Sequence, residues 1–235
     1  GTWDDLANHY TAATDFAAGP AGARIAVPLL DDPAAEVQLL RRLARIYEEF
    51  LDNRAQATAC HRRILDFEPD DRAALQALER IYTADRAWDP LVEVLAHKAD
   101  LAEAAADRKA ILAKMSHVLR TELRQEADAI PILQRIYEMD ESDQAVAADL
   151  EGLFVRYERW EDLVRLLQRR LTLATSDQAR ADIGVQLAAV QRDRLGDFDQ
   201  AIDMLQSALA SAPHRDAARH ALEDLLADDR RVGHD

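Results

Sequence analysis

Laid over one another without a gap, residues 57–128 and 129–200 share about 18 of 72 positions. Ala57 falls on Ala129, Ile64 on Ile136, Asp71 on Asp143, Leu78-Glu79 on Leu150-Glu151 and Trp88 on Trp160. The register continues through Leu91-Val92, Leu95, Leu101-Ala102, Arg108, Ile111, Val118 and Leu123. The shared positions are mostly apolar and recur at the spacing of one helix face. A chain that repeats itself in this way is constrained to stack like units, because one unit alone cannot bury its own apolar face. A third copy begins at Ala201-Ile202, echoing Ala129-Ile130, and carries Leu222-Glu223 where the second has Leu150-Glu151. Upstream, Trp3-Asp4-Asp5-Leu6 echoes Trp88-Asp89-Pro90-Leu91 and Trp160-Glu161-Asp162-Leu163. From tryptophan to the next repeat alanine is 54 residues in that first copy and 41 in the later ones, so an insertion of 13 residues lies in the first copy.

Each 72-residue unit reads as four helices. The predicted spans are 3–17, 33–51, 54–67, 71–84, 87–103, 105–121, 126–139, 142–157, 159–174, 176–194, 197–211 and 214–228, about 12 helices in all. Only 7 glycines and 7 prolines occur in 235 residues, too few for a turn-rich all-β fold. The connections, such as Asp52-Asn53, Pro69-Asp70-Asp71 and Gly196-Asp197, are two to four residues long and force antiparallel helical neighbours. The fold class is therefore all-α, a solenoid of antiparallel helix pairs, read as one domain over 1–235. The buried faces should place Ala57, Ala129 and Ala201 where helices approach closely and Trp88 and Trp160 where gaps are larger.

The insertion falls at 18–31, which holds two of the seven glycines and two of the seven prolines and reads as a loop. Asp32-Pro33 then restarts a helix, with Asp32 as N-cap and Pro33 at the first helical position, where its missing N–H costs nothing. Pro131 is compatible with a helix if Asp128 is its N-cap, since the proline then sits in the first turn.

These residues carry a resemblance. Ala44 and Tyr47, then Asn53 to Ala57, then Ile64-Leu65 and Pro69 resemble the tetratricopeptide repeat, a 34-residue helix pair. Gly196-Asp197-Phe198-Asp199-Gln200-Ala201-Ile202, followed by Ala208-Leu209 and Pro213, is the most similar stretch. The intervening pairs depart from the pattern, with Trp88 or Trp160 at the start of the second helix and no repeat alanine, which makes the true period a double of about 36 and 36. The resemblance implies a right-handed α-solenoid that binds peptides or scaffolds assemblies, and it implies no chemistry.

Charge and composition narrow the partners. The 29 basic and 44 acidic residues give a net charge of −15, which repels phosphate backbones and anionic lipid, and no local basic cluster in the sequence reverses this. Nucleic acid and membrane are thus not expected as partners. The longest apolar run, Ile25 to Leu30, contains Pro28 and is far short of a membrane span. Cys60 is the only cysteine, so no internal disulfide forms, and a reducing, cytoplasmic setting is the expectation. The chain opens Gly1-Thr2-Trp3 without Met or leader, and both ends cut a helix pair, which predicts a piece of a longer array. Trp3, Leu6 and Tyr10 at one end and Leu222, Leu225 and Leu226 at the other would then be partly uncovered and open to end-to-end self-association.

Chemistry-bearing constellations have plain explanations. The acid pairs Asp4-Asp5, Asp31-Asp32, Asp70-Asp71 and Asp228-Asp229 mostly fall at predicted helix starts, where carboxylates cap free N–H groups. No two of the seven histidines are four residues apart, and no phosphate-loop, nucleophile-elbow or zinc-helix motif occurs, so no cofactor, metal or catalytic set is expected. Cys60 and His61 are adjacent, but neighbouring helix residues point about 100° apart, and Cys60 reads as a small buried filler.

In a solenoid of this kind the first helix of each pair lines a concave groove. Register places Arg41, Arg45, Glu48, Glu79, Arg80, Thr83, His117, Arg120, Glu151, Val155 and Arg192 there. The arginines would form a cationic stripe suited to a peptide carboxylate or an acidic segment. Alternatively they pair locally on a solvated face, as Arg45 would with Glu48 or Glu49. Two functions stay open: a non-enzymatic interaction scaffold that holds a peptide or partner subunit in its groove, or a ligand-sensing regulatory solenoid that controls an attached effector domain.

Overall fold

The computed structural model describes residues 32–211 and 216–232, together with positions 5, 17–18 and 24–25. Contacts divide the chain into two compact units, Gly1–Gln125 and Glu126–Asp235. In the first, α1 (Pro33–Glu49), α2 (Arg54–Phe67), α3 (Arg72–Asp85), α4 (Trp88–Leu101) and α5 (Ala105–His117) follow one another, each packed on the next. In the second, α6 (Glu126–Met139), α7 (Gln144–Arg156), α8 (Trp160–Leu173), α9 (Asp177–Val190), α10 (Phe198–Ser211) and α11 (Asp216–Val232) do the same. The expected all-α architecture of consecutive packed helices is thus present, with boundaries within a few residues of those predicted. The predicted helix 3–17 and most of the 18–31 insertion lie outside the described residues. Ala17–Ala18 and Arg24–Ile25, at the edge of and within that insertion, pair as a two-residue antiparallel ladder.

Several helices begin where short polar side chains can take over orphan amide donors, whereas α4, α5 and α8 start after Ala87, Ala104 and Arg159 with no side-chain cap. Asp32 Oδ1 accepts from the Ala34 N–H at 2.9 Å, Asp71 from Ala74 at 2.7 Å, Asn53 from Gln56 at 3.2 Å and Ser176 from Ala179 at 3.1 Å. Pro33 stands in the first turn of α1 as expected. Asp228-Asp229 does not stand at a helix start, because α11 runs through it to Val232. Pro131 also departs from expectation. Helix α6 begins at Glu126, so Pro131 lies beyond the first turn and deprives the Ala127 carbonyl of its usual donor four residues on. Both residues are exposed, so water can hydrate that carbonyl.

The helices end on a device the apolar pattern does not reveal. Left-handed residues occur at Asp52, Arg86, Arg124, Glu158 and Gly196, with φ between 45° and 67°. Asp52, Arg124 and Gly196 are 72 residues apart, as are Arg86 and Glu158. The two series use different stops. After α1 and after the π-turns Val118–Glu122 and Gln191–Leu195 that extend α5 and α9, a wide turn closes: the N–H groups of Asn53, Gln125 and Asp197 donate to the carbonyls of Tyr47, Leu119 and Gln191 at 2.8, 2.8 and 2.9 Å. After α3 and α7 a tighter Schellman-type stop forms, from Ala87 to Tyr82 at 2.9 Å and from Arg159 to Phe154 at 2.8 Å. The repeat is therefore a double of two unlike helix pairs. Among the described residues, glycine stands at one of these five left-handed positions. Arg124→Gly is expected to stabilise the fold by about 0.5–1 kcal/mol and Gly196→Ala to cost about 1 kcal/mol, because a Cβ is strained at positive φ; urea unfolding midpoints measure both.

The cores are the repeated apolar faces. In the first unit Val37, Leu40, Leu43 and Ala44 of α1 pack with Ala57, Cys60 and Ile64 of α2 and Ala74 and Ile81 of α3. In the second, Ala181 and Ala188 of α9 pack with Ala201, Leu205 and Ala208 of α10. Ala57, Ala129 and Ala201 are all fully buried, as their register predicts. Trp88 and Trp160 are only half-buried; each opens a helix, and the Arg194 guanidinium lies 4.8 Å from the Trp160 ring centre. At the C-terminal end, Leu225 is buried, Leu222 half-buried and Leu226 exposed, so the expected uncovered patch reduces to Leu226 and part of Leu222. Trp3, Leu6 and Tyr10 lie outside the described residues.

Candidate functional site

Helix α3 buries Ala74, Leu75, Leu78, Ile81 and Tyr82, and this fixes Gln76, Glu79, Arg80 and Thr83 on its opposite face. That face, with Lys98 from α4 and Lys114 from α5, lines an open groove of about 660 Å³. A second hollow of about 560 Å³ continues from it through the shared Gln76 and Lys98 and is lined by Leu101, Ala102 and Ile111 together with the charged Arg72, Glu103 and Asp107. Three of the residues placed in the groove by sequence, Glu79, Arg80 and Thr83, are thus brought together. Lys98 and Lys114 were not anticipated. Lys98 has a signal in the sequence, since its register partner is Arg170; Lys114 has none, since its partner is Gln186.

Glu79 is the electrostatic centre of this groove. Its Oε1 accepts from Lys114 Nζ at 2.5 Å and its Oε2 from Lys98 Nζ, which ties α3 to both following helices. Burial pushes the Glu79 carboxyl up, but the hydrogen bonds from Lys114 and Lys98 outweigh it and hold the group below the usual carboxylate range. Thr83 turns inward on its own helix, its hydroxyl donating to the Glu79 carbonyl at 2.7 Å. Glu48 of α1 plays a parallel part at the neighbouring helix. It accepts from His61 Nε2 at 2.7 Å and from Arg80, and these bonds outweigh burial to hold its carboxyl low as well.

The remaining predicted residues take other partners. Arg41 donates to Glu68 at 2.5 Å and Asp71 at 2.6 Å, securing the α2–α3 connection. Arg45 pairs with Glu49 one turn along α1 at 2.9 Å, the local pairing weighed from sequence. Arg192 pairs with Asp193 at 2.6 Å. Arg120 and Arg192 both lie in π-turns, where an extra residue per turn ends the α-helical register used to place them. His117 is exposed at the end of α5, and its carbonyl accepts from Thr121 Oγ1 at 2.7 Å. Glu151 pairs with Arg170. Val155 is half exposed. Cys60 is fully buried, and burial alone pushes its thiol up to about 12, so the adjacent His61, turned to Glu48, has no thiolate to serve.

The second unit carries the same helix face with different chemistry. Where α3 has Gln76, Arg80 and Thr83, α7 has Ala148, Gly152 and Val155. A Cβ at Gly152 would meet nothing within 4 Å, so Gly152→Ala is expected to raise stability by about 1 kcal/mol through helix propensity, read as a higher urea midpoint.

Acid should weaken the fold through the carboxylates named above. The Glu48, Glu79, Asp71 and Asp162 carboxyls are all held low, the last two also against burial: Asp71 by the Ala74 N–H and Arg41, Asp162 by Arg165 and Arg159. A group whose native pKa is depressed binds its proton more readily when unfolded. Its stabilisation is complete above the unfolded value of about 4 and is lost as pH falls through the native one. Unfolding midpoints should therefore hold steady above about pH 5 and drop steeply below about pH 4.

No protein-family model matches the sequence, and no curated protein does. Among solved structures, the chain is similar to YrrB, described as a TPR protein with an unusual peptide-binding site, at 15% identity over 81% of this chain and 94% of that one, with a TM-score of 0.36. It is also similar to TTC0263, a thermophilic TPR protein of Thermus thermophilus, at 18% identity over 81% and 99% of the two chains, with a TM-score of 0.35. A tetratricopeptide repeat protein from Parabacteroides merdae matches at 12% identity over 95% of this chain and 78% of that one, with a TM-score of 0.34.

Proposed function

We propose that the chain is a non-enzymatic interaction module that holds a peptide segment of a partner protein along α3, in the groove between Glu79, Arg80, Lys98 and Lys114. The observation that carries this reading is the meeting of two lysines from separate helices over one carboxylate, in an open groove that runs on into a hollow with aliphatic groups in its lining. A polar, charged floor beside aliphatic groups such as Leu101 and Ile111 offers hydrogen bonds for register and buried area for affinity, which is what an extended segment needs. The groove lies on helices rather than loops, so its backbone is held before a partner arrives and less entropy is lost on binding.

The test is capture of partners from a lysate on immobilised protein, comparing the wild type with Arg80→Glu/Lys114→Glu. Charge reversal sets like charges against Glu48 and Glu79, so the variant should melt lower than the wild type, and capture is compared at a temperature where circular dichroism shows both proteins folded; there the variant should lose partners that use the groove. Partners retained in full by the variant place the interaction on another surface.

A further inference from the structure

A partner entering this groove meets a carboxylate already in place. Lys98 and Lys114 each direct one ammonium donor to Glu79. An ammonium has three donors, so two on each lysine remain for another acceptor. Two cations around one carboxylate leave a positive excess on a protein whose net charge is −15, and the excess faces an open groove. Arg80 borders the same groove with its charge shared with Glu48. The lysines stand on long flexible stems, whereas Glu79 is pinned to α3, with only 19% of its side chain exposed. The second unit lacks this excess: its register partners are Glu151, Arg170 and Gln186, one cation to one anion.

We infer that Glu79 occupies, from within the chain, the place that an acidic side chain of a partner takes between Lys98 and Lys114. The groove then selects segments in which an acidic residue sits beside an aliphatic one, the acid on the lysines and the aliphatic group toward Leu101 and Ile111. Glu79 is the intramolecular competitor that sets how tightly such a segment is held. The inference rests on the groove being the partner surface, and it adds the chemistry of the partner and an internal brake on binding. Charge complementarity is the argument for an acidic occupant: a basic or neutral segment brings no negative charge to the remaining lysine donors and leaves the positive excess of the groove unbalanced.

The experiment is a fluorescence-anisotropy titration with a labelled, N-acetylated and C-amidated peptide of alternating Glu and Leu, alongside the same peptide with Gln for Glu. Wild-type protein should bind the acidic probe, more weakly as salt is raised, and bind the Gln probe poorly. Lys98→Met/Lys114→Met should lose about tenfold in affinity, in line with loss of a charge-assisted contact. Glu79→Gln, which frees both lysines, should gain several-fold; a merely structural Glu79 would not produce a gain. Thermal melts accompany each variant, and if the double lysine variant does not fold, the single Lys114→Met, at a 41% exposed side chain, carries the comparison. Unchanged or weakened binding by Glu79→Gln overturns the inference, as does equal binding of the two probes or failure of wild type and Glu79→Gln alike to bind the acidic one. If acidic probes fail while a captured partner is still lost on Arg80→Glu/Lys114→Glu, the groove stands as the partner surface and only its acidic preference falls.

Discussion

Phe154→Ala is expected to cost about 4 kcal/mol, enough to remove a large part of the stability of a domain of this size. Phe154 lies near the end of α7 with 2% of its surface exposed, among the largest fully buried side chains of the second unit. Its ring is flanked by the Arg159 guanidinium 5.4 Å from the ring centre, and its carbonyl takes the Arg159 N–H that stops the helix. Truncation therefore opens a cavity where the chain turns from α7 into α8, at a point pinned by the left-handed Glu158 and with little freedom to collapse. The register partner Tyr82 is also buried, but its hydroxyl accepts from Arg62 Nε at 2.6 Å, so Tyr82→Phe isolates the polar share of that site at about 1 kcal/mol. Urea unfolding with an unchanged slope measures both. A loss below about 1 kcal/mol for Phe154→Ala would mean that α7 does not pack as described.

Ala201→Leu should be nearly as damaging, at about 3 kcal/mol, for the opposite reason. Ala201 is fully buried on α10, in an interface with α9 built largely from alanine. The same interface includes Gly184, where an added Cβ would come within 3.1 Å of the Ala208 Cβ. Helices this close have no room for three further carbons, and an overpacked helix must shift or adopt strained rotamers. Circular dichroism should report nearly unchanged helix content with a much lower melting temperature. A tolerated leucine would show that α9 and α10 stand further apart than their alanines indicate.

The repeat, the helix positions and the buried alanines were legible in the sequence because each depends on spacing along one helix. A period of 3.6 residues places Ala57, Ala129 and Ala201 on buried faces whatever the neighbours are, and Asp32, Asn53 and Asp71 cap through side chains two or three residues from their donors. Register also put Glu79, Arg80 and Thr83 on one open face. Tertiary structure decided what spacing cannot encode. Arg41 finds Glu68 and Asp71, Arg80 finds Glu48, and Glu79 finds Lys98 and Lys114, across separations of 19 to 35 residues. Those pairings depend on which helix faces meet, and a strong local pair such as Arg45 with Glu49 gives no guide to them. The π-turns after α5 and α9 and the left-handed stops at Asp52, Arg86, Arg124 and Glu158 were equally hidden, since none of these four residues is the glycine that marks Gly196. There the packing of consecutive helices holds the backbone in a conformation that the residue itself does not favour, and the same packing turns a row of separate charges into a groove with one carboxylate under two lysines.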